Sequence, residues 1–146
     1  MKKVLFLVFA FVLFSQVVFS QINGGLGITY KLGDPNNLFG LQAKGMLNVD
    51  ENWKFVAAYN YYLGNNASYA IDADVHYELL TIGEDFHLLP LLGINWTEYG
   101  GNSDIGLNVG LFTNFRVNDN KLHIYFEPKY LISDGSGFIV TSGVLF

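Results

Sequence analysis

Asp72, Asp74, His76 and Glu78 stand at every second position of one short segment. That spacing puts four titratable side chains on the same face of a β-strand. Carboxylates and an imidazole in a row could hold a metal ion or pass a proton. At about 3.3 Å per residue, however, the row extends over ~20 Å, so its four members cannot meet one ion. A lining of some interior wall is the better reading, and no metal site is expected. Nucleophilic chemistry fares no better. Ser68, Ser103, Ser133 and Ser136 fall in turn-rich stretches without a histidine beside them to act as base. Cysteine is absent, which excludes thiolate chemistry and disulfides. No catalytic residue and no cofactor is expected.

Other charges share the row's phase: Lys44, Lys54, Arg116, Glu127 and Lys129, with Lys31, His87 and His123. Facing inward across a narrow space, opposite charges must pair or stay hydrated, because an unpaired buried charge is costly. Lys44, Lys54, Asp72, Asp74, His76, Glu78, Arg116, Glu127 and Lys129 are therefore expected to form a structural charge network. A proton or ion path through the same residues is the sharper alternative. If the hairpin between Leu63 and Tyr69 centres on Asn66, Lys54 faces Glu78 and Asn60 faces Asp72.

The elements that would position these groups are strands. From Gly25 to Phe146 the chain divides into eight segments in which every second residue is apolar, as in Leu26, Ile28, Tyr30, Leu32 or Ile105, Leu107, Val109, Leu111. That face carries no Asp, Glu, Lys, Arg or His. Gly, Asn and Asp collect in the breaks: 33–37, 50–52, 64–68, 83–85, 99–104, 118–120 and 133–137. These residues tolerate the φ > 0 geometry of tight reversals. Eight strands of roughly 9–13 residues fit tilted transmembrane β-strands. The pattern predicts an all-β fold, an eight-stranded antiparallel up-and-down transmembrane β-barrel. Beyond the N-terminus no apolar run reaches the ~18 residues of a membrane helix, and only helices and closed barrels span lipid.

Alternation does not say which face looks out; volume does. The apolar face is rich in Phe, Tyr, Trp and Leu, too bulky for an eight-stranded interior. The opposite face carries Gly27, Thr29, Gly40, Gln42, Ala58, Asn60, Gly93, Asn95, Gly106, Asn108, Gly110, Thr141 and Gly143, which suit a narrow polar lumen. Aromatic residues collect at both strand ends: Trp53, Tyr77, Phe86, Phe115 and Phe146 at one, Tyr30, Phe39, Tyr61, Trp96, Tyr130 and Phe138 at the other. Two such belts mark two membrane interfaces.

Residues 1–20 read as a secretory signal peptide, with Lys2 and Lys3 before the apolar run Val4–Phe14 and Val18 and Ser20 at a cleavage site. The barrel domain is then 21–146. Removing Lys2 and Lys3 from the 8 basic residues leaves six against 13 acidic ones, a balance that argues against nucleic acid.

Phe138, Val140, Val144 and Phe146 form an apolar every-second-residue ending with a terminal aromatic, interrupted at Ser142. With the eight segments, this ending resembles the small eight-stranded outer-membrane barrels of Gram-negative bacteria, the OmpA/OmpX-like group. The resemblance implies an integral outer-membrane protein with lipid contacts all round, whose ending is recognised by the barrel-assembly machinery during insertion. It places 50–52, 83–85 and 118–120 in the periplasm. The expected function is structural or surface-interacting and non-catalytic, with a closed polar lumen. A small porin-like channel and a secreted soluble barrel binding an apolar ligand are the alternatives.

Overall fold

The structure, a computed structural model, describes residues 22–33, 37–64, 68–117 and 121–146. The expected signal peptide, the 118–120 turn and parts of the 33–37 and 64–68 breaks lie outside the described residues. Among the described residues nine strands follow one another: β1 (Ile22–Gly33), β2 (Leu38–Asn48), β3 (Trp53–Leu63), β4 (Ser68–Tyr77), β5 (Leu80–Ile82), β6 (Phe86–Tyr99), β7 (Asn102–Arg116), β8 (His123–Ile132) and β9 (Gly137–Leu145). All pairings are antiparallel, and β1 closes on β9. Closure removes the exposed ladder edges that an open sheet would present.

β4 and β5 are two lengths of one wall strand, because both pair with β6. His76 faces Leu91 and Leu80 faces Leu88, so one more residue is spent on the β4–β5 side than on β6. The extra residue is a β-bulge, which leaves Leu79 and Leu80 both exposed on the outer side. Pro90 of β6 falls opposite this gap and has no N–H to give to a ladder. Pro128 of β8 has the same effect: its ladder with β7 lapses between Gly110↔Lys129 and Thr113↔Phe126. With the bulge taken into account, the barrel has the eight staves that the alternation predicts.

The apolar face looks outward. Leu92 and Ile105 are 60% and 73% exposed, and the exposed side chains include Leu26, Leu41, Phe55, Leu107 and Ile124. Such a continuous apolar exterior suits hydrocarbon rather than water. Aromatic pairs form near both ends of the wall: Trp53 with Tyr77 and Phe86 with Phe115, each at 4.9 Å, and Tyr69 with Trp96 at 6.0 Å. At the end that holds residues 22 and 146, Asp50 closes the β2–β3 turn by accepting the N–H groups of Asn52 (2.7 Å) and Trp53 (2.8 Å). Such side-chain-to-backbone bonds are what make Asp a turn residue.

Inside, the residues are layered. Next to the terminal end lies an apolar layer of Met46, Val56, Leu89, Leu91, Phe112, Tyr125 and Leu145. Phe112 and Tyr125 stack at 5.6 Å. Room for Tyr125 comes from Gly27 and Gly143, where a Cβ would run into its ring or hydroxyl and into the facing backbone. Small residues on two staves thus let a large one fill the bore. The sequence predicts an inner face of small and polar residues; the layer departs from this because Phe112 and Tyr125 occupy inward positions of otherwise polar strands.

Candidate functional site

Above the apolar layer three strands bring five charges together. β4 supplies Asp72 and Asp74, β8 supplies Glu127 and Lys129, and β2 supplies Lys44, at alternate positions whose side chains all point inward. Lys129 Nζ lies 2.8 Å from Asp72 Oδ2, 3.4 Å from Asp74 Oδ2 and 3.6 Å from Glu127 Oε1. Lys44 Nζ lies 2.5 Å from Glu127 Oε2. These side chains are at most 1% exposed, so each charge depends on its neighbours rather than on water.

Neutral side chains serve the two aspartates further. Asp72 accepts amide N–H groups from Asn60 (2.7 Å), Asn95 (2.6 Å) and Asn108 (2.9 Å), and Asp74 accepts from Asn108 (2.8 Å). Gln42 donates to Asn60 at 2.8 Å and accepts from the Tyr125 hydroxyl at 3.0 Å. The network therefore runs from β2 to β8 across the bore. Lys44 also sits over the Tyr125 ring at 4.3 Å and the Phe112 ring at 5.1 Å, a cation–π arrangement that ties the charges to the apolar layer. His76 is fully buried, with its ring 5.1 Å from Phe112, and neither of its ring nitrogens has a hydrogen-bond partner.

A second group forms at the terminal mouth. Glu78 accepts from Lys54 at 2.8 Å, from His87 Nδ1 at 2.8 Å and from the Thr81 hydroxyl at 2.5 Å. The bulge makes this possible, because it follows Glu78 directly and returns Thr81 to the inner side. The Glu78 N–H donates to Asn52 O at 2.7 Å, fastening the bulge to the β2–β3 turn. A cavity of about 280 Å³ opens here between Lys54, Glu78, His87, Asn114, Lys121 and His123.

The nine residues expected to share one network thus divide. Lys44, Asp72, Asp74, Glu127 and Lys129 join; Lys54 and Glu78 pair at the mouth; His76 lies beside the cluster without a bond. Arg116 stands at the rim, its Nη1 3.6 Å from Glu84, whose side chain is 90% exposed. The expected register needs correction. Lys54 pairs with His76 and Asn60 with Ala70, two residues from the expected partners. Lys54 still reaches Glu78, and Asn60 still reaches Asp72, because both contacts run diagonally between neighbouring strands. Phe138, Val140, Val144 and Phe146 share the outer side at the end of the chain, and Phe146 exchanges two backbone bonds with Gly24 (3.0 and 2.9 Å). Among the described residues, no group of three or more acidic or histidine side chains is placed to hold a metal ion.

Neither a protein-family model nor a curated protein matches the sequence. Solved structures do match the fold. The N-terminal β-barrel domain of Pseudomonas aeruginosa OprF superposes with a TM-score of 0.67 over 85% of this chain and 96% of that one, at 13% identity. The fold is that of a small outer-membrane β-barrel. Two more such barrels agree. Neisserial surface protein A, NspA, gives 0.59 over 85% of this chain and 93% of its own, at 14% identity. The attachment invasion locus protein of Yersinia pestis, Ail, gives 0.53 over 86% and 97%, at 16% identity. Likeness at this level of identity concerns the barrel itself, since one fold hosts many functions.

Proposed function

We propose that this protein is an integral outer-membrane barrel whose interior is closed by the Lys44–Glu127–Lys129–Asp72–Asp74 cluster above an apolar layer, and that its role is structural or surface-interacting rather than catalytic. One observation carries the reading: Lys129 is fully buried among three carboxylates in the middle of the bore, in a barrel of only eight staves. Such barrels are just wide enough for side chains to fill. The mid-barrel cluster pairs its charges, and the described interior presents no serine with a histidine base. NspA and Ail are named for the surface and for attachment, which favours a surface role here as well.

On this reading the turns at 50–52 and 83–85 face the periplasm, the wall contacts lipid, and Phe138, Val140, Val144 and Phe146 form the segment that the barrel-assembly machinery reads. Recording from the purified protein in a planar bilayer tests the closed interior. No sustained conductance is expected. A large conductance abolished by Glu127→Ala or Lys44→Ala would overturn the proposal in favour of a pore. Fractionation tests the location: recovery without detergent from a soluble fraction would overturn the membrane reading.

A further inference from the structure

We propose that the cavity at the terminal mouth is a binding site for a small oxyanion, a phosphate or short-chain carboxylate. Three observations meet there. First, the cavity measures about 280 Å³, at the small end of ligand pockets, which run to about 300–1,000 Å³. It has room for a phosphate or a short carboxylic acid.

Second, its lining is rich in groups that can donate to an anion, in an otherwise acidic chain. Lys54, His87, Lys121 and His123 face one carboxylate, Glu78, which already accepts from both Lys54 and His87. Counting lysine and arginine alone, the lining has two basic side chains to one acidic, against 8 to 13 in the whole chain, so this concentration is local. Nearby acids lie in water instead: Glu84 and Asp85 are exposed on their turn, where solvent and salt screen them.

Third, two buried polar atoms of the lining have no partner among the described residues: His123 Nδ1, which donates in one tautomer, and Oδ1 of Asn114, a side chain only 7% exposed, which accepts from an O–H such as that of a hydrogen phosphate. Buried polar groups ordinarily find one. Asn23 and Asn48 add side-chain amides to the same wall. Met46 and Leu145, both members of the apolar layer, close the floor. An apolar floor keeps water from competing and strengthens each charge-assisted bond above it. The site is independent of which side of the membrane this mouth faces, and of whether the bore conducts.

The experiment uses the full folded chain in a neutral, phosphate-free detergent micelle. Side-chain amide and histidine NMR signals are followed while inorganic phosphate, acetate and, as an ionic-strength control, chloride are added. Saturable shifts at Asn114 and His123 with phosphate or acetate, and not with chloride, are expected. Lys121→Gln, at an exposed position that leaves the barrel intact, should weaken binding about ten-fold, the equivalent of one charge-assisted hydrogen bond. Asn114→Leu should weaken it comparably, with fold checked by heat-dependent gel mobility. Repeating the titration in nanodiscs with phosphatidylglycerol distinguishes the source: competition by the lipid supports a headgroup ligand, and undiminished phosphate binding supports a soluble one. Shifts no greater than those with chloride, or binding unchanged by Lys121→Gln, would overturn the proposal.

Discussion

Replacing Lys129 by Met removes the ammonium that faces Asp72, Asp74 and Glu127 together while keeping most of the side-chain volume. At an effective dielectric near 20, attractions over 2.8, 3.4 and 3.6 Å are about 5 kcal/mol each. Desolvation of the buried charges offsets most of that sum, and losing one partner of a buried ion pair costs about 3–5 kcal/mol. The three carboxylates are then unequally served. Asp72 keeps three amide donors, Glu127 keeps Lys44, and Asp74 keeps only the amide of Asn108 among its bonds. Lys129→Met should therefore destabilise the barrel by about 3–5 kcal/mol, and adding Asp74→Asn should restore part of the loss. Lys44→Met should cost less, because Glu127 Oε1 still lies 3.6 Å from Lys129. Urea titrations of the folded barrel, read by the fluorescence of Trp53 and Trp96 and extrapolated linearly, measure these differences. A loss below about 1 kcal/mol for Lys129→Met, or a larger loss for Lys44→Met, would refute the account of how the cluster is held together.

Three further outcomes follow from the same wall and turns. Gly93→Ala should destabilise by about 1–3 kcal/mol, because its Cβ would meet Asp74 Oδ1 and the Ala73 carbonyl, whereas Gly45→Ala, which points into open space, should be neutral or stabilising; equilibrium unfolding compares the two. Leu92→Arg, facing out midway along β6, should cost about 2–4 kcal/mol in a bilayer, and Ile105→Arg, near a strand end, at most about 1 kcal/mol; equal costs would contradict a membrane-embedded wall. The backbone N–H groups of Trp53 and Asn52 hold the Asp50 carboxyl below the usual carboxylate range. Its contribution to stability is therefore complete above the unfolded-state value and lost as pH falls through the lowered folded-state one, so carboxyl NMR should show a depressed midpoint that returns to normal in urea.

Much of this architecture is legible in the sequence because a strand has a period of two. Leu26 to Leu32 or Ile105 to Leu111 must fall on one side, and the absence of charge among them settles that the side is dry. The same period brings Lys44, Asp72, Asp74, Glu127 and Lys129 to the interior. What period cannot convey is offset between strands. The Lys54 register shifts by two residues without turning any side chain to the other face, so nothing in the hydrophobic pattern opposes it. The bulge at Glu78–Leu79 is hidden for a related reason: Leu79 and Leu80 are adjacent apolar residues, and either continues the outer row. The Phe112–Tyr125 layer had a visible signal, two aromatics at inward positions, but its fit depends on Gly27 and Gly143 from other strands.

The β1–β9 seam also sets an order in time. It joins Gly25 to Leu145 and Gly33 to Gly137, residues at opposite ends of the folded chain. Closing so long a loop costs only about 3 kcal/mol more than closing a hairpin, since the penalty grows with the logarithm of length. The delay is the greater burden. Every other staff of the wall meets its partner across a short turn, whereas β1 has no mate on its second side until the last strand has been made and brought round. Throughout that interval the nascent sheet carries two raw edges, each able to pair with the wrong chain. A slow final step with long-range pairing is what high contact order predicts, and it makes the seam the place where assembly of this barrel is either completed or lost.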